Sequence, residues 1–483
     1  LLIKHILWDY FGRFSLVFAN LAITAVLSRL LSPSEYGIIG IVLAISTLAT
    51  IFLEFGFNSA IVQHPDPEPV QLNTIFAVVL AAGIALYTAV FFISPAVARF
   101  YDLPELTELL RISGLSFIIN AFNLVPNSLI IKNMRFKEQS IRNVSLTVVA
   151  GSLAIVLALA GWGVWALVVQ TLLSALLLVG VNIRLTGWLP GGRIQLRSIV
   201  SMFHYSKYLF LSGVLDAVFT RFDTLLIGKA INTQTVGFYS RAKGMENMIQ
   251  GITTSSLNAV MFPYFSKMQE DPTRIVGLFN RFFHMIAALI FLFAGLAYIN
   301  APWGFRLLFG PQWDQAALYY RILAMSAFAF PLSALMLSVV SAMGNSKDFF
   351  RAEVGKKALF IPAFLLIFHS MEAFLYGWVL IIFLAFLINL YYLKRSIPIR
   401  ISEYAWVVLR YTLILACFLA LYQLLMQWSA LSSFHLLPAL VSSAAFVGLQ
   451  LLSVRWISPN VYQLAGQQFH HLYTRLLKRP THD

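Results

Sequence analysis

The sequence has one cysteine in 483 residues, Cys417, which excludes an intrachain disulfide and any cysteine-built metal site. Its place in an apolar run reads as packing. Charge is also scarce. Asp, Glu, Lys and Arg make up 11% of the chain and hydrophobic residues 59%, whereas a soluble domain carries about 25% charge. The chain therefore reads as a polytopic membrane protein. Acidic residues are scarcer still, 20 against 34 basic ones, for a net charge of +14. In a soluble protein that excess would suggest nucleic acid. Here the basic residues fall in short connections between apolar runs, so membrane topology explains them and no nucleic-acid partner is expected. No nucleophile triad, metal-ligand cluster or Gly-rich phosphate loop stands out, which argues against an enzyme and against a bound cofactor or metal.

Apolar segments long enough to span a bilayer, which takes roughly 20 residues, run at 6–31, 36–62, 72–97, 109–131, 142–160, 164–184, 206–229, 236–262, 278–300, 316–343, 354–370, 373–393, 404–427 and 434–454. The expectation is an all-α protein of fourteen transmembrane helices. The first segment is too long for a signal-peptide core and reads as a retained span. With the N-terminus in the cytoplasm, most basic residues fall on the cytoplasmic side. The opposite loops then hold only Arg29, Arg99, Lys229 and Arg306. By the positive-inside rule both termini are cytoplasmic.

The second half repeats the first at an offset of about 200 to 210. LLSPSEYGIIG (30–40) returns as AINTQTVGFYS (230–240), with Gly37 matched by Gly237. Pro95 matches Pro302, Arg99 matches Arg306, RISGLS (111–116) matches RILAMS (321–326), and Arg142 matches Arg351. Six-span repeats are common in secondary transporters. The expected organisation is an N-terminal lobe at 1–185, a cytoplasmic linker at 186–204, a C-terminal lobe at 205–395, two additional spans at 396–457, and a basic amphipathic tail at 458–483.

Helical spacing places polar residues on single faces. Span 1 carries Asp9, Arg13, Asn20 and Thr24; span 2, Thr47, Thr50, Glu54 and Asn58; span 4, Ser113, Ser116, Asn120, Asn123 and Asn127. Span 7 gathers Ser212, Asp216, Thr220 and Asp223, and span 8 gathers Lys243, Glu246, Asn247, Gln250, Thr254 and Asn258. Such stripes need a wet cavity or polar helix partners. Spans 3, 6, 12 and 14 are nearly apolar and read as lipid-facing walls. Arg111 and Arg321 begin spans 4 and 10 and suit interfacial anchoring.

The strings LSRLLSPSEYGIIGI (27–41), LEFGFNSAIVQ (53–63), LNTIF (72–76), RFDTLLIGK (221–229), VMFPYFSKMQED (260–271) and LFGPQWDQA (308–316) resemble the Wzx-type polysaccharide flippases of the multidrug/oligosaccharidyl-lipid/polysaccharide superfamily, the colanic acid exporter-like group. The resemblance implies two pseudo-symmetric six-helix lobes (spans 1–6 and 7–12) around a central cavity lined by spans 1, 2, 7 and 8, plus two C-terminal helices. It implies a polyprenyl-diphosphate-linked oligosaccharide substrate, turned by alternating access across the bacterial cytoplasmic membrane by a monomer that serves a polysaccharide polymerase and export machinery.

The residue chemistry suits that substrate. Arginine and lysine bind phosphate oxygens, and Arg13, Arg221, Arg241 and Lys243 are the candidates for the diphosphate. Asn20, Asn58, Asn120, Asn123, Asn127, Asn247 and Gln250 offer neutral donors and acceptors for a glycan. Asp216, Asp223 and Glu54 are candidates for a coupling Na⁺ or H⁺. Three alternatives stay open: a drug/cation antiporter of the same superfamily, which would favour an acidic cavity; a peptidoglycan-precursor flippase; and a membrane glycosyltransferase or polymerase, which would favour longer extracytoplasmic loops.

Overall fold

The computed structural model describes residues 2–54, 57–428 and 436–459; the side chains at 2–11, 13, 54, 200–209, 211–213, 215, 249, 251–260, 263, 346, 426–428 and 436–437 lie outside the description. The described residues contain helices and no strand. The first nine helices are α1 (Leu2–Leu30), α2 (Pro33–Glu54), α3 (Phe57–Gln63), α4 (Pro69–Tyr101), α5 (Leu106–Ser113), α6 (Leu115–Lys132), α7 (Phe136–Leu159), α8 (Val164–Thr186) and α9 (Val200–Ala230). They are followed by α10 (Thr233–Ser266), α11 (Pro272–Phe309), α12 (Asp314–Ala324), α13 (Ala329–Ala342), α14 (Ser346–Leu365), α15 (Met371–Ser396), α16 (Ile401–Trp428) and α17 (Leu436–Ile457). Each expected span coincides with one of these helices or an adjacent pair. Ten stretches among the described residues are long and apolar enough to cross a membrane, so this is a multi-pass membrane protein. Most of the expected tail, from residue 460 onward, lies outside the described residues.

The chain forms two compact units, Leu1–Ser240 with Leu308–Gln312, and Arg241–Leu307 with Trp313–Asp483. In the first, α1 packs on α7: a Cβ added at Gly12 would meet Ser140 Oγ at 2.2 Å, and one at Gly151 would meet Ile23 Cδ1 at 2.3 Å. The core between α2, α3, α4 and α6 holds Leu53, Phe57, Ile61, Ile75, Val79 and Val125. The segment between α8 and α9 is pinned to the start of α4. Gly191 N donates to Asn73 Oδ1 at 3.2 Å, Asn73 Nδ2 donates back to Gly191 O, and Gln195 N donates to Thr74 Oγ1 at 2.9 Å. Buried polar groups need such partners, so this Pro-Gly-Gly loop is tied down by side chains rather than by secondary structure.

The repeat is visible in how the helices begin. Ser32 and Glu35 form a reciprocal capping box at α2: Ser32 N donates to Glu35 Oε2 at 2.7 Å and Glu35 N donates to Ser32 Oγ at 3.3 Å, satisfying two orphan donors of the first turn. Two hundred residues on, Asn232 caps α10 by accepting from Thr235 N at 2.8 Å. The two starts meet. A Cβ on Gly37 would fall 1.7 Å from the Thr233 carbonyl oxygen, and one on Gly237 would fall 1.8 Å from the Pro33 carbonyl oxygen. Only glycine lets the backbones approach this closely. Ser34 Oγ and Thr233 Oγ1 close the crossing at 2.9 Å. The turns repeat as well: Asp102 (φ 58°) ends α4 where Gly310 (φ 103°) follows α11, and Met134 (φ 52°) precedes α7 where Gly344 (φ 75°) precedes α14.

The second unit is built on α11. Phe291 stacks on Phe328, which immediately precedes α13, and on Tyr411 of α16, with centroids 5.1 and 5.4 Å apart, and Phe283 meets Tyr404 edge-on at 4.9 Å. The last two helices, which have no counterpart in the first half, join this unit through polar pegs. Asn300 Nδ2 donates to Ser443 Oγ at 2.9 Å, Gln450 Nε2 to Ala288 O at 3.1 Å, and Gln423 Nε2 to Tyr298 OH at 2.5 Å.

One of the four expected lipid walls needs correction. In α15 more than half of the apolar window is buried, 56% against 22% in α4, and Asn389 of α15, 1% exposed, donates to Ser333 Oγ at 2.8 Å. In α8 the window is 22% buried, as in α4, with Asn182 its wholly buried polar residue. Hydropathy reports how apolar a helix is, not which way it faces. Cys417 is exposed on α16 and does not pack a core.

Candidate functional site

The polar stripes of the first unit resolve into separate clusters. On α9, Asp216 and Arg221 are exposed, while Asp223 is 2% exposed. Asp223 is held on both oxygens: Tyr239 OH donates to Oδ2 at 2.5 Å, and Thr224 N and Oγ1 donate to Oδ1 at 2.6 and 3.1 Å. The three donors satisfy this buried carboxyl group. Asp216 contributes its carbonyl to Thr220 Oγ1 at 2.8 Å. The two aspartates thus meet different surroundings, as their separation of two helical turns requires.

The asparagine ladder of span 4 turns toward α3, α7 and α8. Asn58 Oδ1 accepts from Ser128 Oγ at 2.7 Å. Asn123 Oδ1 accepts from Asn182 Nδ2 at 2.6 Å, and Asn127 Oδ1 accepts from Arg142 Nη1 at 3.4 Å. Asn120 is half-buried beside them and Asn20 is exposed on α1. The side chains of Arg13 and Glu54, together with Asp9, Ser212, Thr254 and Asn258 of the stripes, lie outside the described residues.

In the second unit, α10 brings Arg241, Lys243, Glu246 and Gln250 together. Lys243 Nζ lies 2.9 Å from Glu246 Oε2 and 4.5 Å from the centroid of Trp378. The Glu246 oxygens have no aligned hydrogen-bond donor, so the contact is Coulombic, between a carboxylate 2% exposed and an ammonium 19% exposed. Arg241 Cζ stands 5.1 Å from the Trp313 ring centroid, a cation–π geometry. Glu246, Gln250 and Tyr320 border a cavity of about 20 Å³ against Ile290, Phe293 and Ala294. That is room for about one water molecule, far too small for a diphosphate or a sugar. Asn247 of α10 is exposed.

Arg111 and Arg321, at equivalent repeat positions, both lie over rings: Arg111 Cζ is 4.1 Å from the Phe91 centroid, and Arg321 Cζ is 4.2 Å from that of Tyr298. Among the described residues no group of His, Cys, Asp and Glu could hold a metal ion. Sequence reasoning missed Arg142, Asn182, Tyr239, Trp313 and Trp378. For Arg142 the cause is the helix boundary: α7 begins at Phe136, so an arginine expected at a span end sits nearly two turns inside. Asn182 was legible as the lone asparagine in an apolar span.

A family model described as polysaccharide biosynthesis protein matches residues 26–318. The chain belongs to that family. Its relatives include the succinoglycan biosynthesis transport protein ExoT of Rhizobium meliloti, 24% identical over 65% of this chain and 63% of ExoT. The lipopolysaccharide biosynthesis protein WzxC of Escherichia coli is 22% identical over 74% of this chain and 73% of its own. The teichuronic acid biosynthesis protein TuaB of Bacillus subtilis is 23% identical over 82% and 83%. Among solved structures, the inward closed form of the lipid II flippase MurJ superposes with a TM-score of 0.70 at 14% identity, covering 94% of this chain and 99% of that one. An inward-facing MATE transporter of the MOP superfamily follows at 0.61 and 15%, covering 82% and 98%. This member of the polysaccharide biosynthesis family therefore has the fold of these two structures.

Proposed function

We propose that the chain is a flippase that turns a polyprenyl-diphosphate-linked oligosaccharide from the inner to the outer leaflet of a bacterial cytoplasmic membrane by alternating access, for surface polysaccharide export. The observation that carries this is the family match, which runs through both sequence repeats and whose relatives are named for the biosynthesis or transport of succinoglycan, lipopolysaccharide and teichuronic acid. Arg221, exposed on α9, and Arg241 and Lys243 of α10 are the cations proposed to meet the anionic head group, Lys243 being paired with Glu246 in this structure. The proposal includes the two six-helix lobes at 1–185 and 205–395, fourteen spans, both termini in the cytoplasm, a monomer, and delivery of the flipped product to a polymerase.

Deletion of the gene should trap the glycan-lipid on the cytoplasmic leaflet, where an external lectin or hydrolase cannot reach it. Unchanged surface polysaccharide together with an unchanged lipid-linked intermediate, in a strain without a paralogue, overturns the reading. Of the ion-coupling candidates Asp216, Asp223 and Glu54, the proposal takes Asp216, which is exposed where Asp223 is buried among three donors; the Glu54 side chain lies outside the described residues. Asp216→Asn should abolish the response of flipping to an imposed Na⁺ or pH gradient. A variant that responds as the wild type does removes Asp216 from the coupling.

A further inference from the structure

Arg142 on α7 is 6% exposed, and all of its hydrogen bonds go to amide oxygens. Nε and Nη2 donate to Asn143 Oδ1 at 3.1 and 2.9 Å, and Nη1 donates to Asn127 Oδ1 at 3.4 Å and to Asn182 Oδ1. Asn182 in turn donates to Asn123 Oδ1. Among the described residues no carboxylate pairs with Arg142; Glu138, one turn earlier, pairs with Arg135 at 3.4 Å. A guanidinium does not give up its proton in proteins. Its full charge is therefore held in a low-dielectric interior by neutral dipoles, where its field reaches further than in water.

A buried cation placed for packing alone is ordinarily paired, because a lone buried charge is heavily penalised. The repeat-related arginine has a different setting. Arg351 is exposed and pairs with Asp348 at 3.4 Å, and Ala352 stands after it where Asn143 follows Arg142. The arginine is thus present in both halves, and the amide cage belongs to the first. Arg142 lies near the N-terminal end of α7, Asn127 near the C-terminal end of α6, and Asn182 near the C-terminal end of α8. On the topology read from the sequence, that is the end from which a substrate made in the cytoplasm would load.

We infer that Arg142 is a fixed, deliberately unneutralised cation that draws and orients the diphosphate of the lipid-linked substrate on the first unit, acting through its field as a positioning residue. The inference rests on the flippase reading above. It turns on one distinction: the amides solvate the charge without cancelling it, and a carboxylate in the same place would cancel it.

Asn143→Asp makes that single change. The side chain keeps its size, and Asn143 uses only its oxygen in the cage. If Arg142 is structural, the new ion pair leaves ligand binding and export as they were, at equal or higher thermal stability. If its field serves the substrate, the purified full-length variant in zwitterionic-lipid nanodiscs should bind geranylgeranyl diphosphate about tenfold more weakly than the wild type, the loss expected for cancelling a unit charge about 10 Å away at an effective dielectric near 20. Geranylgeraniol, which lacks the phosphates, should bind both proteins equally. Asn127→Asp repeats the neutralisation from a different helix and serves if the first variant does not fold. Equal diphosphate affinity in the wild type and a folded Asp variant overturns the role of Arg142. A wild type that does not bind the diphosphate at all overturns the flippase reading and this inference with it.

Discussion

Two carboxylates of this protein, Asp223 and Glu246, are each 2% exposed, and they are stabilised in opposite ways. Asp223 takes its donors from a tyrosine, a threonine and a backbone amide; Glu246 depends on one lysine. Removing one member of a buried pair strands the other, so Lys243→Ala should lower the unfolding free energy by about 3 to 5 kcal/mol, whereas replacing both members with apolar residues of similar volume is close to neutral. Thermal unfolding of Lys243→Ala beside Lys243→Met/Glu246→Leu measures this. Export by the double variant then separates the two roles of Lys243. Recovered stability with recovered export makes the pair structural, and recovered stability without export leaves the ammonium for the substrate. By the same logic Tyr239→Phe, which deprives Asp223 of a donor in a buried site, should cost about 1 to 3 kcal/mol, read as a fall in the unfolding midpoint.

The helices carry the clearest trace of the internal repeat. Ser32 and Asn232 both cap, Gly37 and Gly237 both yield to a carbonyl oxygen, and the turns at Asp102 and Gly310 both enter the left-handed region. The string LSPSEYG is thus a capping box followed by a helix crossing, which explains why it recurs in altered form. Gly37→Leu and Gly237→Leu should each destabilise the protein by about 1 to 3 kcal/mol through overpacking. Gly304→Ala, where nothing lies within 4 Å of an added Cβ, should leave the unfolding midpoint unchanged or slightly raised. Similar losses at all three positions would show that the crossing does not set Gly37 and Gly237 apart, since helix propensity alone favours Ala and Leu over Gly. At this scale the sequence was informative because caps, breaks and apolar length are local properties. Burial was less so: α15 reads as a lipid wall, yet more than half of its apolar window is buried and Asn389 turns inward, a choice made by neighbouring helices that no single helix encodes.

For the whole molecule, hydropathy, the 200-residue repeat and the motif strings were enough to reach the MOP fold and the polysaccharide biosynthesis family. The site was legible only in part. Helical spacing put Asn123 and Asn127 on one stripe, but it could not tell a glycan-facing stripe from a cage around an arginine on another helix. Nor could it tell that Asp223 would be saturated by Tyr239 from α10. What a stripe faces depends on distant sequence, and that information enters only when helices pack. The central claim, that this chain flips a lipid-linked oligosaccharide, is tested most directly with the purified protein in liposomes that carry a polyprenyl-diphosphate glycan bearing a fluorescent label. The account predicts that glycan initially shielded in the inner leaflet becomes accessible to an impermeant quencher faster than in protein-free liposomes, with Arg221→Ala slower than Lys394→Ala at equal reconstitution. Transfer no faster than in protein-free liposomes, with the organism's own lipid-linked glycan as substrate, contradicts it.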